Sequence, residues 1–267
     1  MIRDITLGQY YPANSILHRL DARTKFIGTM VFVVSVFVFH SFFGYGVATL
    51  FLAAMIVLSK VPVKFMFKGL RSIIFILMIT VVFNIFLTPG EILWHWGILK
   101  VTREGLVVAG KMAIRLTYLV IGSSLMTLTT TPNQLTDGLE SLMKPLSYLK
   151  VPVHEIAMMM SIALRFIPIL LEETDKIMKA QIARGADFES GNIIQKAKAL
   201  VPLLVPLFVS AFRRANDLAM AMEARCYHGG GGRTQMKPLK YKGRDYLAFL
   251  ILAAYLAVGI VFRVVGL

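Results

Sequence analysis

From Phe26 to Leu58 the chain carries no Asp, Glu, Lys or Arg in 33 consecutive positions. One membrane crossing takes about 20 apolar residues, so the run is either one strongly tilted helix or two helices meeting near Gly44-Tyr45-Gly46. Flanking charge decides for two. Arg3, Arg19, Arg23 and Lys25 precede the run, and Lys60, Lys64, Lys68 and Arg71 follow it. Both clusters belong on the cytoplasmic side, which requires an even number of crossings between them. A third span is predicted from about Leu70 to Leu87, ending at the turn signal Thr88-Pro89-Gly90. Trp94 and Trp96 then alternate in a short stretch that suits a β-hairpin with its aromatics at the outer interface. A fourth span runs from about Gly105 to Thr129, and the last from Tyr246 to Val265.

Residues 130–245 read differently. Thr131-Pro132, with Gln134 next, opens a helix that should reach Leu149, its apolar Leu135, Leu139, Leu142 and Leu146 spaced by three or four. After Lys150-Val151-Pro152 a second helix is predicted from His154 to Arg184, apolar nearly all round to Leu171 and amphipathic beyond, with Gly185 in the position of a C-cap glycine. A third, from Asn192 to Arg225, repeats the plan: an apolar half holding Pro202 and Pro206, then a mixed half. Cys226-Tyr227-His228 and Gly229 to Gly232 end it, the glycines reading as a tether.

Composition fits this division. The 267 residues are 57% hydrophobic and 16% charged, with 29 Lys and Arg against 15 Asp and Glu, and mean hydropathy is +0.68. Apolar spans joined by basic loops account for both excesses, and lipid headgroups or protein partners suit the charge better than nucleic acid. The first 20 residues are too polar for a secretory signal peptide, so the spans themselves should direct insertion. One cysteine, Cys226, excludes a disulfide framework. Sixteen of the basic residues lie in 130–245, which places that segment in the cytoplasm, the N-terminus with it and the C-terminus outside. Its half-apolar helices would lie along the inner face or across the base of other helices; two further crossings are the alternative, and would put Glu172 to Arg184 outside.

Candidate chemistry is sparse. Gly105 to Lys111 has the glycine and lysine spacing of a phosphate loop, but Met112 stands where Ser or Thr holds Mg²⁺ and no strand is expected before it. His154-Glu155 begins a zinc-protease pattern that Met158 breaks, and nothing else has metal-ligand spacing. Lys111 and Arg115, four apart in the fourth span, are functional candidates by position, or snorkelling and helix-pairing cations near its outer end. Met143, Met158, Met159, Met160, Met178, Met220 and Met222 are either ordinary core filling or an adaptable apolar surface for partner helices. The sharpest feature is duplicated: Ala183-Arg184-Gly185 and Ala224-Arg225-Cys226 each set one arginine between small residues at a helix end. Helix-dipole compensation explains a single arginine of this kind. Two suggest guanidinium tips entering related grooves of another protein.

Taken in order, Leu20-Asp21-Ala22-Arg23-Thr24-Lys25, Thr130-Thr131-Pro132, Leu164-Arg165-Phe166-Ile167-Pro168, Ala180 to Gly185, Arg213-Arg214-Ala215 and Ala219 to Arg225 resemble EcfT, the transmembrane coupling subunits of energy-coupling factor (ECF) importers, over nearly the whole chain. The resemblance implies an all-α integral membrane protein of about five spans: residues 1–129 with four spans, a coupling domain at 130–232 with one short and two long crossing helices, and 233–267 as basic linker and last span. It implies a non-catalytic subunit that transmits ATP-driven movement of two ABC-type ATPases (EcfA and EcfA′ type) to a substrate-binding S-component, for uptake of vitamins or other micronutrients across a prokaryotic cell membrane. No cofactor is expected in this chain, ATP and Mg²⁺ being bound by the ATPases. Ala183, Arg184, Gly185, Ala224, Arg225 and Cys226 would dock the ATPases. Met158, Met159, Ile162, Phe166, Leu170, Leu204, Phe208 and Phe212 would face the S-component. Cys226 departs from the glycine common in the family after the second arginine, and Cys tolerates a left-handed backbone less well. A membrane-embedded enzyme and a stand-alone permease are the competing classes. The first needs convergent polar groups inside the bilayer, where only Asn84, Lys111, Arg115 and hydroxyls qualify; the second needs a polar stripe through several spans.

Overall fold

The computed structural model describes residues 10–39, 41–96, 99–188, 192–229, 236 and 238–265. It is an all-α membrane protein with one small hairpin. The elements are α1 (Ala22–Val38), α2 (Phe42–Ser59), α3 (Val63–Leu87), β1 (Ile92–Trp96), β2 (Leu99–Thr102), α4 (Arg103–Thr129), α5 (Pro132–Met143), a 3₁₀ turn (Lys144–Leu149), α6 (Val153–Ala183), α7 (Ile193–Ala224) and α8 (Gly243–Val265). The chain divides into two compact units, Leu139–Pro238 and Gly8–Gly138 with Leu239–Leu267.

In the second of these units the break between the first two helices falls at Phe39–Ser41, not at Gly44–Gly46. Ser41 is the reason: its hydroxyl accepts from Gly44 N at 3.1 Å and caps α2, and a side-chain cap ends a helix more firmly than glycines do. Gly44 serves packing instead, since a Cβ there would stand 2.9 Å from the Phe39 Cβ. Phe32, Val36, Phe39, Ala48, Leu52 and Tyr255 form the core joining α1, α2 and α8. Phe51 stacks on Tyr255 at 4.3 Å, and the buried Tyr255 hydroxyl is satisfied by Ser35 at 2.6 Å. Asp245, 2% exposed at the start of α8, accepts from Asp21 N, Thr24 Oγ1 and Lys242 N at 2.9, 3.1 and 2.8 Å, which fixes that helix to the start of α1. On the other flank of α1 the buried Lys25 ammonium donates to Thr129 O at 2.8 Å and His18 O at 3.3 Å.

α3 bends by 62° between Arg71 and Ile73. The hairpin expected around Trp94 is present as β1 paired antiparallel to β2, with a register irregularity between Ile92 and Trp94. A strand therefore does precede Gly105, contrary to expectation. Even so, Gly105 to Lys111 is continuous helix in α4, so its amides are committed within the helix or to the Thr102 cap and make no phosphate loop. Lys111 lies over the Phe42 ring at 5.2 Å; Arg115 lies over Phe37 at 5.3 Å and donates to the Tyr45 hydroxyl at 3.0 Å. Both cations thus pair α4 with the turn end of α1 and α2.

By length and composition α2, α4, α6, α7 from Lys198 and α8 are each long and apolar enough to cross a membrane, with bent α3 as a sixth. α1, at 17 residues, falls just short of that measure, although it packs centrally. α6 and α7 pass because they are unbroken: Pro168, Pro202 and Pro206 sit inside continuous helices of 31 and 32 residues.

Candidate functional site

Pro132 opens α5, with Gln134 N and Thr131 Oγ1 at 3.4 Å and the reciprocal Thr131 N and Gln134 Oε1 at 3.4 Å. The helix stops at Met143, short of Leu149, because Pro145 cannot donate and the last six residues tighten to a 3₁₀ turn closed by Lys150 at φ 62°. Within the Leu139–Pro238 unit, His154 Nδ1 meets Glu140 Oε1 at 2.9 Å, so the second residue of α6 is anchored to the end of α5.

α6 and α7 are each near 45 Å long at 1.5 Å per residue. Two side-chain hydrogen bonds among the described residues join them. Arg214 donates to Glu173 at 2.7 Å. Gln181 Nε2 donates to the carbonyl of Pro202 at 3.2 Å. That carbonyl is available because Pro206, four residues on, has no N–H to offer it. The contacts run in opposite order along the two helices, so the C-terminal tips leave the crossing on different sides. Neither contact was assigned a role from the sequence. Glu173 and Arg214 are 41 positions apart, the same interval that separates Arg184 from Arg225, but the interval by itself does not mark a contact.

Both tips close in the same way. At the first, Gly185 has φ +90°, its N–H reaches Ile182 O at 2.9 Å and Ala186 N reaches Gln181 O at 3.0 Å. At the second, Cys226 has φ 56°, its N–H reaches Glu223 O at 2.8 Å and Tyr227 N reaches Met222 O at 3.0 Å. These paired reverse bonds on a left-handed residue satisfy the last carbonyls of a helix. Cysteine thus adopts the geometry that glycine provides at the first tip, against a steric cost of about 1–2 kcal/mol for an L-residue. Each arginine is the residue just before the left-handed one. Ala183, Arg184, Gly185, Ala224, Arg225 and Cys226 are all exposed, and neither guanidinium makes an ion pair among the described residues.

The apolar residues form two groups. Met158, Ile162, Phe166 and Leu170 on α6 are half-buried and Met159 is exposed. On α7, Leu204, Phe208 and Phe212 recur every four residues in one stripe, with Phe208 61% and Phe212 69% exposed. Val201, Val205 and Val209 lie exposed beside them. An uncovered apolar strip of this length marks a surface that lipid or another protein covers. Gly230, Gly231 and Gly232 of the expected tether lie outside the described residues. Among the described residues no group of three or more His, Cys, Asp and Glu is placed to hold a metal ion.

Residues 13–238 match the family described as cobalt transport protein (CbiQ). The chain is 56% identical over 266 residues to the energy-coupling factor transporter transmembrane protein EcfT of Clostridium kluyveri, covering 99% of this chain and 98% of that one. It is 58% identical over 247 residues to the EcfT of Ruminiclostridium cellulolyticum, covering 92% of each. With the EcfT of Bacillus subtilis identity is 49% over 260 residues, 96% and 98% of the two chains.

Proposed function

The chain belongs to the EcfT family and is the transmembrane component of an ECF transporter, and from that premise we propose that α6 and α7 are its coupling levers, with Arg184 and Arg225 as the points where two ABC-type ATPase subunits attach. The observation that supports this reading is the pair of matched tips. Two exposed guanidinia, each carried by the same reverse-bonded cap, end two helices braced on each other. A guanidinium offers five donors in a fixed fork, suited to carboxylates and carbonyls in a groove.

In this reading the chain catalyses nothing. ATP and Mg²⁺ are bound by the ATPases, and hydrolysis there moves the two attachment points relative to each other. The brace between Glu173 and Arg214 makes that displacement a change in how the helices cross. The apolar residues of both helices, from Met158 to Leu170 and from Leu204 to Phe212, would carry a substrate-binding S-component and reorient it to release a vitamin or other micronutrient. The tips and both levers would lie in the cytoplasm. The test is Arg184→Glu combined with Arg225→Glu, which should abolish co-purification of the ATPase subunits and ATP-dependent uptake. Normal assembly and transport by the double variant would refute the anchor assignment.

A further inference from the structure

In the unit formed by Gly8–Gly138 and Leu239–Leu267, helices α1, α2, α4 and α8 leave a cavity of about 140 Å³ at the end nearest Lys25. Its wall is apolar, formed among others by Leu20, Phe51, Met55, Leu125 and Leu252. Along α1 the lining runs from Thr24 to Phe32, about 12 Å at the helical rise, or roughly two-fifths of the hydrocarbon thickness of a bilayer. Gly28 lines it, and a Cβ built there meets nothing within 4 Å. A closed apolar void of similar size takes up small apolar guests in soluble proteins, and here the surrounding medium supplies acyl chains.

Charge at this end is one-sided. Lys25 and Arg244 are the charged residues of the lining, and both are cationic. Lys25 is 8% exposed and donates two of its three N–H groups, both to backbone carbonyls. Two carboxylates stand nearby without touching Lys25: Asp21 pairs with Arg23, and Asp245 accepts from the amides of Asp21 and Lys242 and from the Thr24 hydroxyl, while both still attract the ammonium through space. Arg244 is exposed and makes no ion pair among the described residues. A buried ammonium in direct contact only with backbone carbonyls, an exposed guanidinium without an ion pair among the described residues and an apolar shaft behind them are complementary to a molecule with an anionic head and a hydrocarbon tail.

We propose that this cavity is a binding site for an anionic phospholipid, with one acyl chain lying past Gly28 toward Phe32 and the phosphate held by Arg244 and the third N–H of Lys25. The lipid would fill the gap at the base of the four helices and give the Arg244 guanidinium an anionic partner. This inference concerns the membrane unit and stands apart from the ATPase assignment.

The test uses the full-length chain, purified in detergent and stripped of lipid, then mixed with phosphatidylglycerol, phosphatidylcholine or inorganic phosphate. Phosphatidylglycerol at about ten times its Kd should raise the melting midpoint by roughly 3–6 °C. Phosphatidylcholine should raise it less, and phosphate should leave it unchanged. Arg244→Gln should weaken phosphatidylglycerol retention, followed by native mass spectrometry, by about tenfold, the loss expected for one charge-assisted contact. Gly28→Leu fills open space with a better helix former, so it should melt at or above stripped wild-type and no longer respond to lipid. Equal stabilisation by phosphatidylcholine, a full response to phosphate alone, or undiminished lipid retention by Gly28→Leu would each overturn the proposal.

Discussion

Arg214 donates a 2.7 Å hydrogen bond to Glu173, and each partner stands eleven positions before the arginine that ends its own helix, 173 before 184 and 214 before 225. At 1.5 Å per residue the two arms from this contact to the tips are equal, about 16 Å each. Arms of equal length would transmit equal displacements from two attachment points. Arg214 Nε is buried and has no hydrogen-bond partner among the described residues, so Glu173 is the side-chain partner that holds this guanidinium. Glu173→Gln and Arg214→Gln should each lower the melting midpoint by about 2–4 °C, as fits a half-exposed ion pair worth up to ~1 kcal/mol. The exchanged pair, Glu173→Arg with Arg214→Glu, should recover most of it. Additive losses in the exchanged variant would show that the two side chains do not brace the helices.

The second tip holds a residue poorly suited to its backbone. Cys226 sits at φ 56° where the first tip has Gly185, yet the reverse bonds match to within a tenth of an ångström. Cys226→Gly should therefore stabilise the tip by about 0.5–1 kcal/mol, the relief of left-handed strain being partly offset by the freer unfolded chain. Gly185→Ala should cost about 1 kcal/mol at the first tip. Hydrogen exchange at the Tyr227 and Ala186 amides reads each tip separately. Slower exchange at Tyr227 in Cys226→Gly is the expected sign, and faster exchange would contradict it.

A pH response is built into the segment before α1. Burial lowers the His18 pKa from 6.5, opposed by the hydrogen bond to the Tyr11 carbonyl and reinforced by the Lys25 charge. Neutral imidazole suits the site: Nε2 donates to Tyr11 O at 2.9 Å while Nδ1 accepts from the Ser15 hydroxyl at 2.7 Å. Because the folded-state value lies below the unfolded one, this stabilisation is complete above pH 6.5 and is lost as pH falls through 6.5 toward the lowered value. The melting midpoint of wild-type should drop between pH 7.5 and 5.5 by more than that of His18→Gln. Parallel curves would remove His18 as the cause.

Periodicity and caps carried much of this fold in plain view. Gly185, Asn192, Thr131-Pro132 and the alternation at Trp94 each marked an element that the structure contains, because a cap or a period acts over four or five residues. Ser41 was overlooked in favour of nearby glycines, although a serine before an apolar run is the stronger helix start. Pro145 shortened α5 through a missing donor that the leucine spacing does not register. The tip arginines were legible from their small neighbours. The brace was not: Glu173, Arg214, Gln181 and Pro202 meet only through tertiary packing, and the one local hint was the carbonyl that Pro206 releases. The contacts of Lys25 with Thr129 and of Asp245 with Asp21 and Thr24, joining positions more than 100 residues apart, likewise have no local signature.

Which side of the membrane the levers occupy is the question on which the coupling proposal turns. Length and composition alone let α6 and α7 cross, and their exposed apolar strips would tolerate lipid. Charge argues otherwise. Glu172, Glu173, Asp175, Lys176 and Lys179 fill the second half of α6 and Arg184 follows its last residue, and a crossing that starts in the cytoplasm at Val153 would bury the first of them or deliver the rest, with Asp187, to the exterior. A shallow position on the inner face would expose these groups to water and leave the apolar halves against lipid and the proposed S-component. Cys226 is the only cysteine, so a Cys226→Ser background gives clean single-cysteine variants. Asp175→Cys and Asp187→Cys should resist a membrane-impermeant maleimide added to intact cells and react fully once the membrane is opened. Labelling of either position from outside would make α6 a span and end the lever assignment.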